Sequence, residues 1–359
     1  MKARRPTRAG HGVVTRRGML RLAAAIAPTV MGVWPALPAA ASATEYAWSD
    51  ISSHLSSPRG VPNLTDVQFI GDEGWVTTGS WAEVYHTPDG GTTYDVLQSE
   101  LPLTCIQMLS SLEGYAGVDG DYQQDGQVHC TADGGSTWAQ VTGNVGAKVS
   151  GICYPPGGSV GYACGSGGKF AKVSGGTVTP KATQTSVGLK ALSFPESDRE
   201  GWVVGETVML HYVDGAWVDD QVLAPGAYNS VCFVDNQYGW AVGSDGLIAH
   251  TTDGKVWTAQ INPDPSQRDL FGVHFIDTSE GWAVGYRGVV LHTTDGGTTW
   301  QVEATGLTTM ILSAVFAVDS HTVYAVGYGG TLLKYAETTI DPGAGNHLYL
   351  PLYLSRMRA

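Results

Sequence analysis

Residues 281–300 read GWAVGYRGVVLHTTDGGTTW, and this stretch decides the fold. A Gly-Trp pair opens an apolar run, a Thr-Thr-Asp-Gly-Gly turn interrupts it, and Trp300 begins another strand. Working outward, the pair recurs at Gly74-Trp75, Gly114-Tyr115, Gly161-Tyr162, Gly201-Trp202 and Gly239-Trp240, with Val323-Tyr324 as a seventh, degenerate copy. The steps between copies are 40, 47, 40, 38, 42 and 42 residues. A period of ~40 to 45, with β-branched and aromatic residues between Gly-rich turns, is what four-stranded propeller blades produce. The fold class is therefore all-β: a seven-bladed β-propeller of four-stranded antiparallel blades.

The clearest copy sets the strand pattern: Leu270 to Ile276 innermost, then Gly281 to Gly285, Val289 to Thr293 and Thr299 to Glu303. In the innermost strand, Val273 and Phe275 repeat as Val67/Phe69, Ile106/Met108, Ile152/Tyr154, Leu192/Phe194, Val231/Phe233 and Val315/Ala317. A spacing of two places both residues on one sheet face, ready to pack on the next blade. The turn before the outer strand is an Asp-box, in which Asp accepts backbone N–H groups, Gly takes positive φ, and Trp covers the neighbouring sheet. Asp89, Asp133, Asp214, Asp253 and Asp295 hold this position and read as structural, because one reaction centre does not use the same turn in blade after blade.

A propeller must hide the edges of its first and last sheets. The seventh copy stops at Leu332-Leu333-Lys334-Tyr335 without an outer strand, while Tyr46-Ala47-Trp48-Ser49-Asp50-Ile51 resembles the outer strand around Trp300. The amino-terminal strand is therefore expected to complete blade 7 and close the ring. The expected boundaries are 1–43 for an export signal, 44–337 for the propeller, and 338–359 for a linker and short apolar tail.

Residues 1–43 carry seven basic side chains and no acid, then an apolar run from Leu22 to Val33 and Ala41-Ser42-Ala43. This is the pattern of an export signal, and Arg16-Arg17 ahead of the Ala-rich run points to the twin-arginine route. The expected location is periplasm, cell surface or extracellular space. The remainder has thirteen basic and thirty-three acidic side chains, a balance of −20. Nucleic-acid binding is disfavoured, because phosphate attraction needs a basic stripe and these cations read as scattered. No later segment reaches the ~20 apolar residues of a membrane helix. The tail from His347 to Leu354 falls short of that and reads as an edge strand, a sorting tail or a docking segment.

Cys105, Cys130, Cys153, Cys164 and Cys232 are an odd set. Cys153 and Cys164 could bridge if they stand opposite each other on adjacent strands; otherwise each is a small buried hydrophobe. His86, His211, His250 and His292 repeat at the end of the third strand, too far apart around a ring to converge on one metal. Asp119-Gly120-Asp121-Tyr122 with Asp125 has calcium-like composition without the spacing of a calcium loop, and no metal or cofactor is assigned.

Trp81 is the one tryptophan past the signal that no repeat position accounts for. It lies in the second-to-third strand connection of blade 1, on the face opposite the Asp-box turns. Matching connections bring Glu206, Tyr286, Arg287, Tyr328, Asp119, Asp121 and Tyr122 to that face. Aromatic and Arg side chains gathered there make anchors for a peptide or protein.

With Gly281 to Trp300 whole, the chain resembles the photosystem II stability and assembly factor family over residues 46–335. The resemblance implies a seven-bladed Asp-box propeller exported to the thylakoid lumen or periplasm. It also implies a non-enzymatic role, binding a precursor of a reaction-centre subunit during assembly; the chain itself is expected to be a monomer. Photosynthetic members carry an arginine cluster on one face, whereas this body has only Arg59, Arg199, Arg268 and Arg287. The alternative is a sialidase-like glycoside hydrolase or carbohydrate-binding propeller, which needs two carboxylates at a fixed separation and, for sialidases, an arginine triad.

Overall fold

The computed structural model describes residues 45–55, 60, 62–119, 126–303 and 306–338. Seven four-stranded antiparallel sheets follow one another, each in simple up-and-down order. The innermost strands are Asp66–Ile70, Leu103–Met108, Val149–Cys153, Leu189–Ser193, Tyr228–Phe233, Leu270–Phe275 and Leu312–Asp319, which number blades 1 to 7. In blade 7 the outermost strand is Glu45–Asp50, paired with Leu332–Thr338 from Glu45 opposite Thr338 to Asp50 opposite Leu333. The amino-terminal strand therefore closes the ring, as the missing outer strand of the seventh copy required. The export signal and the tail beyond Thr338 lie outside the described residues.

The Gly-aromatic pair has a packing cause. A Cβ on Gly281 would come within 2.4 Å of the Phe275 ring, and one on Gly74, Gly161, Gly201 or Gly239 would meet Phe69, Tyr154, Phe194 or Phe233 as closely. The inner-strand aromatic thus lies across the backbone of the second strand, where only glycine fits. In the degenerate copy the sizes are exchanged: Val323 on the second strand stands opposite the small Ala317.

In four of the pairs the aromatic partner ties its blade to the Asp-box of the next. Trp75 Nε1 donates to Gly134 O at 2.8 Å, Trp202 to Gly254 O at 2.8 Å, Trp240 to Gly296 O at 3.0 Å, and Tyr324 Oη to Gly90 O at 2.8 Å. Every acceptor is a glycine in the following blade's Asp-box. That turn is held by its aspartate: Asp295 Oδ1 accepts from Thr299 N at 2.8 Å and from Thr293 Oγ1 at 2.9 Å, and Oδ2 accepts from Thr299 Oγ1 at 2.7 Å. Asp89 and Asp133 repeat the arrangement, and the backbone N–H bonds help hold Asp89 and Asp295 below the ordinary carboxylate range. Asp214 does not. It takes φ 49° in a tight Asp214-Gly215 turn and pairs with Arg199 at 2.6 Å, because blade 4 lacks the Thr and second Gly that fold the box.

All five cysteines are free. Cys153 stands opposite Tyr162 and Cys164 opposite Gly151, so the bridge considered between them is out of register. The four histidines lie against the second-strand tryptophans, Trp282 on His292 with ring centroids 4.5 Å apart. His292 also contacts Glu280 at 3.2 Å and Glu303 at 3.1 Å. Burial pulls the His292 pKa down, but Glu303 and Glu280 together outweigh it and the net shift is upward. Glu303 in turn accepts from Trp48 Nε1 in the closing strand.

Candidate functional site

Two features occupy the face opposite the Asp-boxes: the mouth of a central channel and an exposed cluster on blades 6 and 7. Six of the seven innermost strands carry a register shift at their first residues, between Leu103 and Cys105, Val149 and Gly151, Leu189 and Ala191, Tyr228 and Ser230, Leu270 and Gly272, and Leu312 and Ala314. A bulge re-aims the residue it leaves unpaired. Here the skipped residues Thr104, Ser150, Lys190, Asn229, Phe271 and Ser313 all line the channel, a cavity of about 330 Å³.

Deeper in, side chains bridge the innermost strands of adjacent blades. Gln68 Nε2 donates to Met108 O at 3.0 Å, Gln107 Nε2 to Tyr154 O at 2.9 Å, Ser193 Oγ accepts from Phe233 N at 3.2 Å, and His274 Nδ1 accepts from Ala317 N at 3.3 Å. The matching residue at the junction of blade 7 with blade 1 is Phe316, which cannot accept, and it packs on Phe69 instead. Asp66 is the one carboxylate among the described channel-lining residues. It accepts from Val67 N and Ile106 N, each at 2.9 Å. Burial nevertheless raises its pKa to about 6.

On blade 6, Tyr286-Arg287-Gly288 forms a single turn with Arg287 at φ 57°. Gly288 packs under Thr308 O, where a Cβ would come within 2.4 Å. Blade 7 repeats the turn at Tyr328-Gly329-Gly330, and blades 3 and 5 have Ser166-Gly167-Gly168 and Ser244-Asp245-Gly246. Aromatic residues thus lead this turn on blades 6 and 7 alone among the four. Tyr286 is 46 % exposed, Tyr328 43 % and Met310 50 %. The Met310 side chain lies against Gly329, beside Tyr328. Arg268 anchors the base of the blade 6 turn: it grips the buried Asp264 through Nε at 2.7 Å and Nη2 at 3.1 Å. The grip, chiefly, holds the Asp264 carboxyl below its usual range.

The residues expected on this face are therefore distributed unevenly. Tyr286, Arg287 and Tyr328 sit on adjacent blades, and Trp81, half-buried against Gly60, follows on blade 1. Glu206 is exposed on blade 4, across the ring. Asp119 is tied to Lys148 at 2.6 Å. Asp121 and Tyr122, with the rest of the calcium-like run to Asp125, lie outside the described residues. Met310 escaped the sequence reading because the loop between blades 6 and 7 has no repeat position to compare it with.

Residues 216–308, from the outer strand of blade 4 to the loop leaving blade 6, match the family model described as photosynthesis system II assembly factor YCF48. The ring resembles a photosystem II assembly factor. Among solved structures, YCF48 from Cyanidioschyzon merolae is similar at 17% identity and TM-score 0.61, covering 81% of this chain and 99% of that one. The structure of YCF48 bound to D1 peptide is similar at 18% identity and TM-score 0.64, covering 80% and 96%. The WD40 propeller domain of Doa1 is similar at 11% identity and TM-score 0.64, covering 82% and 98%, so the likeness establishes the fold. No curated protein matches the chain.

In this assembly-factor-like propeller the channel gives a measurable pH signature. His274 is held at about 4 by burial, below its ordinary 6.5, so its contribution is present above pH ~6.5 and is lost as pH falls towards ~4. Asp66 acts oppositely: its folded pKa lies above 3.8, so its contribution is present in acid and is lost as pH rises through about 6. Asp66→Asn is expected to remove the second effect, making stability climb more steeply with pH than in the wild type. Urea midpoints taken between about pH 4 and 7 check this, and parallel curves for the two proteins would contradict it.

Proposed function

We propose that this chain is an exported, non-enzymatic propeller that holds a segment of a client polypeptide on the face opposite its Asp-boxes, in the manner of a photosystem II assembly factor. A subunit of a membrane complex is the proposed client. The observation that carries the reading is the exposed group Tyr286, Arg287, Met310 and Tyr328 on adjacent blades. Aromatic, Met and Arg side chains are those enriched where proteins bind one another. Two features support it further. A propeller of similar fold, YCF48, has been solved bound to D1 peptide. The amino terminus, basic and then apolar with Arg16-Arg17, supports export. Glycosidic hydrolysis gains nothing from the channel, where Asp66 has no second carboxylate among the described lining residues.

The test is a photo-crosslinking amino acid at position 286, with the mature chain incubated with solubilised membranes of its own cells. One or a few polypeptide adducts are expected. Tyr328→Ala with Arg287→Ala should lower their yield roughly tenfold, the loss of about 1.4 kcal/mol or more that anchor residues cause. Retention of glycans alone, or an adduct pattern indifferent to both substitutions, would overturn the proposal.

A further inference from the structure

The cations of the body are not scattered. Between Asp133 and Glu196 there are 62 residues without one acidic side chain, and they hold Lys148, Lys169, Lys172, Lys181 and Lys190. Everything else past the signal has eight basic and thirty-three acidic side chains, a balance of −25. Blade 3 and the start of blade 4 are thus a basic wedge in an acidic ring.

The structure separates these lysines by task. Lys148 is neutralised by Asp119, and Lys190 donates to Asn229 Oδ1 at 2.7 Å in the channel mouth. Lys172 and Lys181 belong to the third and outermost strands of blade 3, Lys169–Ser174 and Thr177–Lys181. Together with Arg199 they line a cleft of about 290 Å³ between blades 3 and 4. Tyr162 and Tyr212 form its floor, and Asp198 and Asp214 are its acids. Asp214 is engaged by Arg199. The cleft is open because blade 4 has no Asp-box: only the tight Asp214-Gly215 turn stands where, at other junctions, an Asp-box glycine of the following blade meets the aromatic of the preceding one.

The outer edge of blade 3 does not invite strand addition. Val178 N already donates to Thr142 O at 2.8 Å, and the next outward-facing position is Pro180, which has no N–H. Recognition here must run through side chains. We infer that this cleft is a second docking surface, taking a carboxylate side chain from an acidic polypeptide segment. A concave site between two sheets admits a side chain, whereas a flat lipid surface cannot reach Lys172 at its half-buried depth. The surface is on the rim of blades 3 and 4, apart from the group on blades 6 and 7, and the inference does not rest on the function proposed above.

The probe is a fluorescein-labelled oligoglutamate peptide titrated with the mature protein at low ionic strength, read by anisotropy. Binding is expected to weaken steeply with added salt, as for any contact made by exposed charges. Lys172→Glu combined with Lys181→Glu should weaken it about tenfold or more, while Lys255→Glu on blade 5 should change it about twofold or less. Zero-length carbodiimide coupling of the peptide to wild-type protein should place adducts on Lys172 and Lys181, a readout independent of any variant. Absence of binding, equal effects of the blade 3 and blade 5 substitutions, or adducts spread over other lysines would each overturn the inference. So would tighter binding to phosphatidylglycerol vesicles with the same sensitivity to Lys172 and Lys181.

Discussion

Deletion of residues 44–55 is expected to leave the protein aggregated, or to collapse its melting transition. The strand Glu45–Asp50 supplies the whole outer edge of blade 7. Beyond its ladder, Ile51 N donates to Leu332 O at 2.9 Å, Leu332 N donates to Ser52 Oγ at 2.9 Å, and Trp48 reaches across to Glu303. At ~1 kcal/mol net for each hydrogen bond, the three bonds beyond the ladder, with ~2 kcal/mol for covering Trp48, already amount to about 5 kcal/mol before the ladder itself is counted. That is comparable with the whole stability of a typical domain. The newly exposed Leu332–Thr338 would also be an unpaired apolar edge, a template for pairing between chains. Thermal unfolding of the truncated chain, with and without a synthetic peptide of residues 44–55, checks both effects. An unaltered transition would mean that the ring does not depend on its seal.

Trp240→Ala is expected to cost about 4 kcal/mol, the scale of large aromatic deletions in a core. Trp240 is fully buried, stacks on Phe275 with centroids 3.6 Å apart and on His250 at 4.8 Å, and hands its N–H to Gly296 of blade 6. A sharper version compares phenylalanine at two equivalent positions. Trp282 is equally buried, but its Nε1 has no partner among the described residues, since blade 7 is finished by a strand from the amino terminus and not by an Asp-box turn. Trp240→Phe should therefore be costlier than Trp282→Phe by about 1 to 3 kcal/mol, because only the first breaks a bond and the second removes an orphaned donor. Denaturant unfolding of both variants settles the order. Equal costs would show that the tryptophan N–H contributes nothing across the blade junctions.

The parts of the candidate site that were legible share one property: each occupies a repeat position. Tyr286, Arg287 and Tyr328 could be set on one face because their turns align with Ser166-Gly167 and Ser244-Asp245 in other blades. Lys190 and Asn229 were not legible as channel residues, because strict alternation along a strand makes no allowance for a bulge. Met310 and the Lys172–Lys181 cleft lie where blades differ most, in an inter-blade loop and at a turn too short to be an Asp-box. Asp214 shows the converse error: its place in the repeat suggested the box, and the missing Thr and Gly undid it.

The sequence by itself determined the number of blades, the order of strands within each, and the strand that seals the circle. These follow from local pattern, a Gly-aromatic pair and an aspartate turn repeated until one copy lacks its last strand. Tertiary structure alone decided what meets at the junctions. The Trp75–Gly134 contact joins residues 59 apart and the Tyr324–Gly90 contact residues 234 apart. The first is set by the packing of one blade on the next and the second by closure of the ring, so the exposed group on blades 6 and 7 and the basic cleft exist only once adjacent sheets have packed, and the channel lining only once the last sheet has met the first.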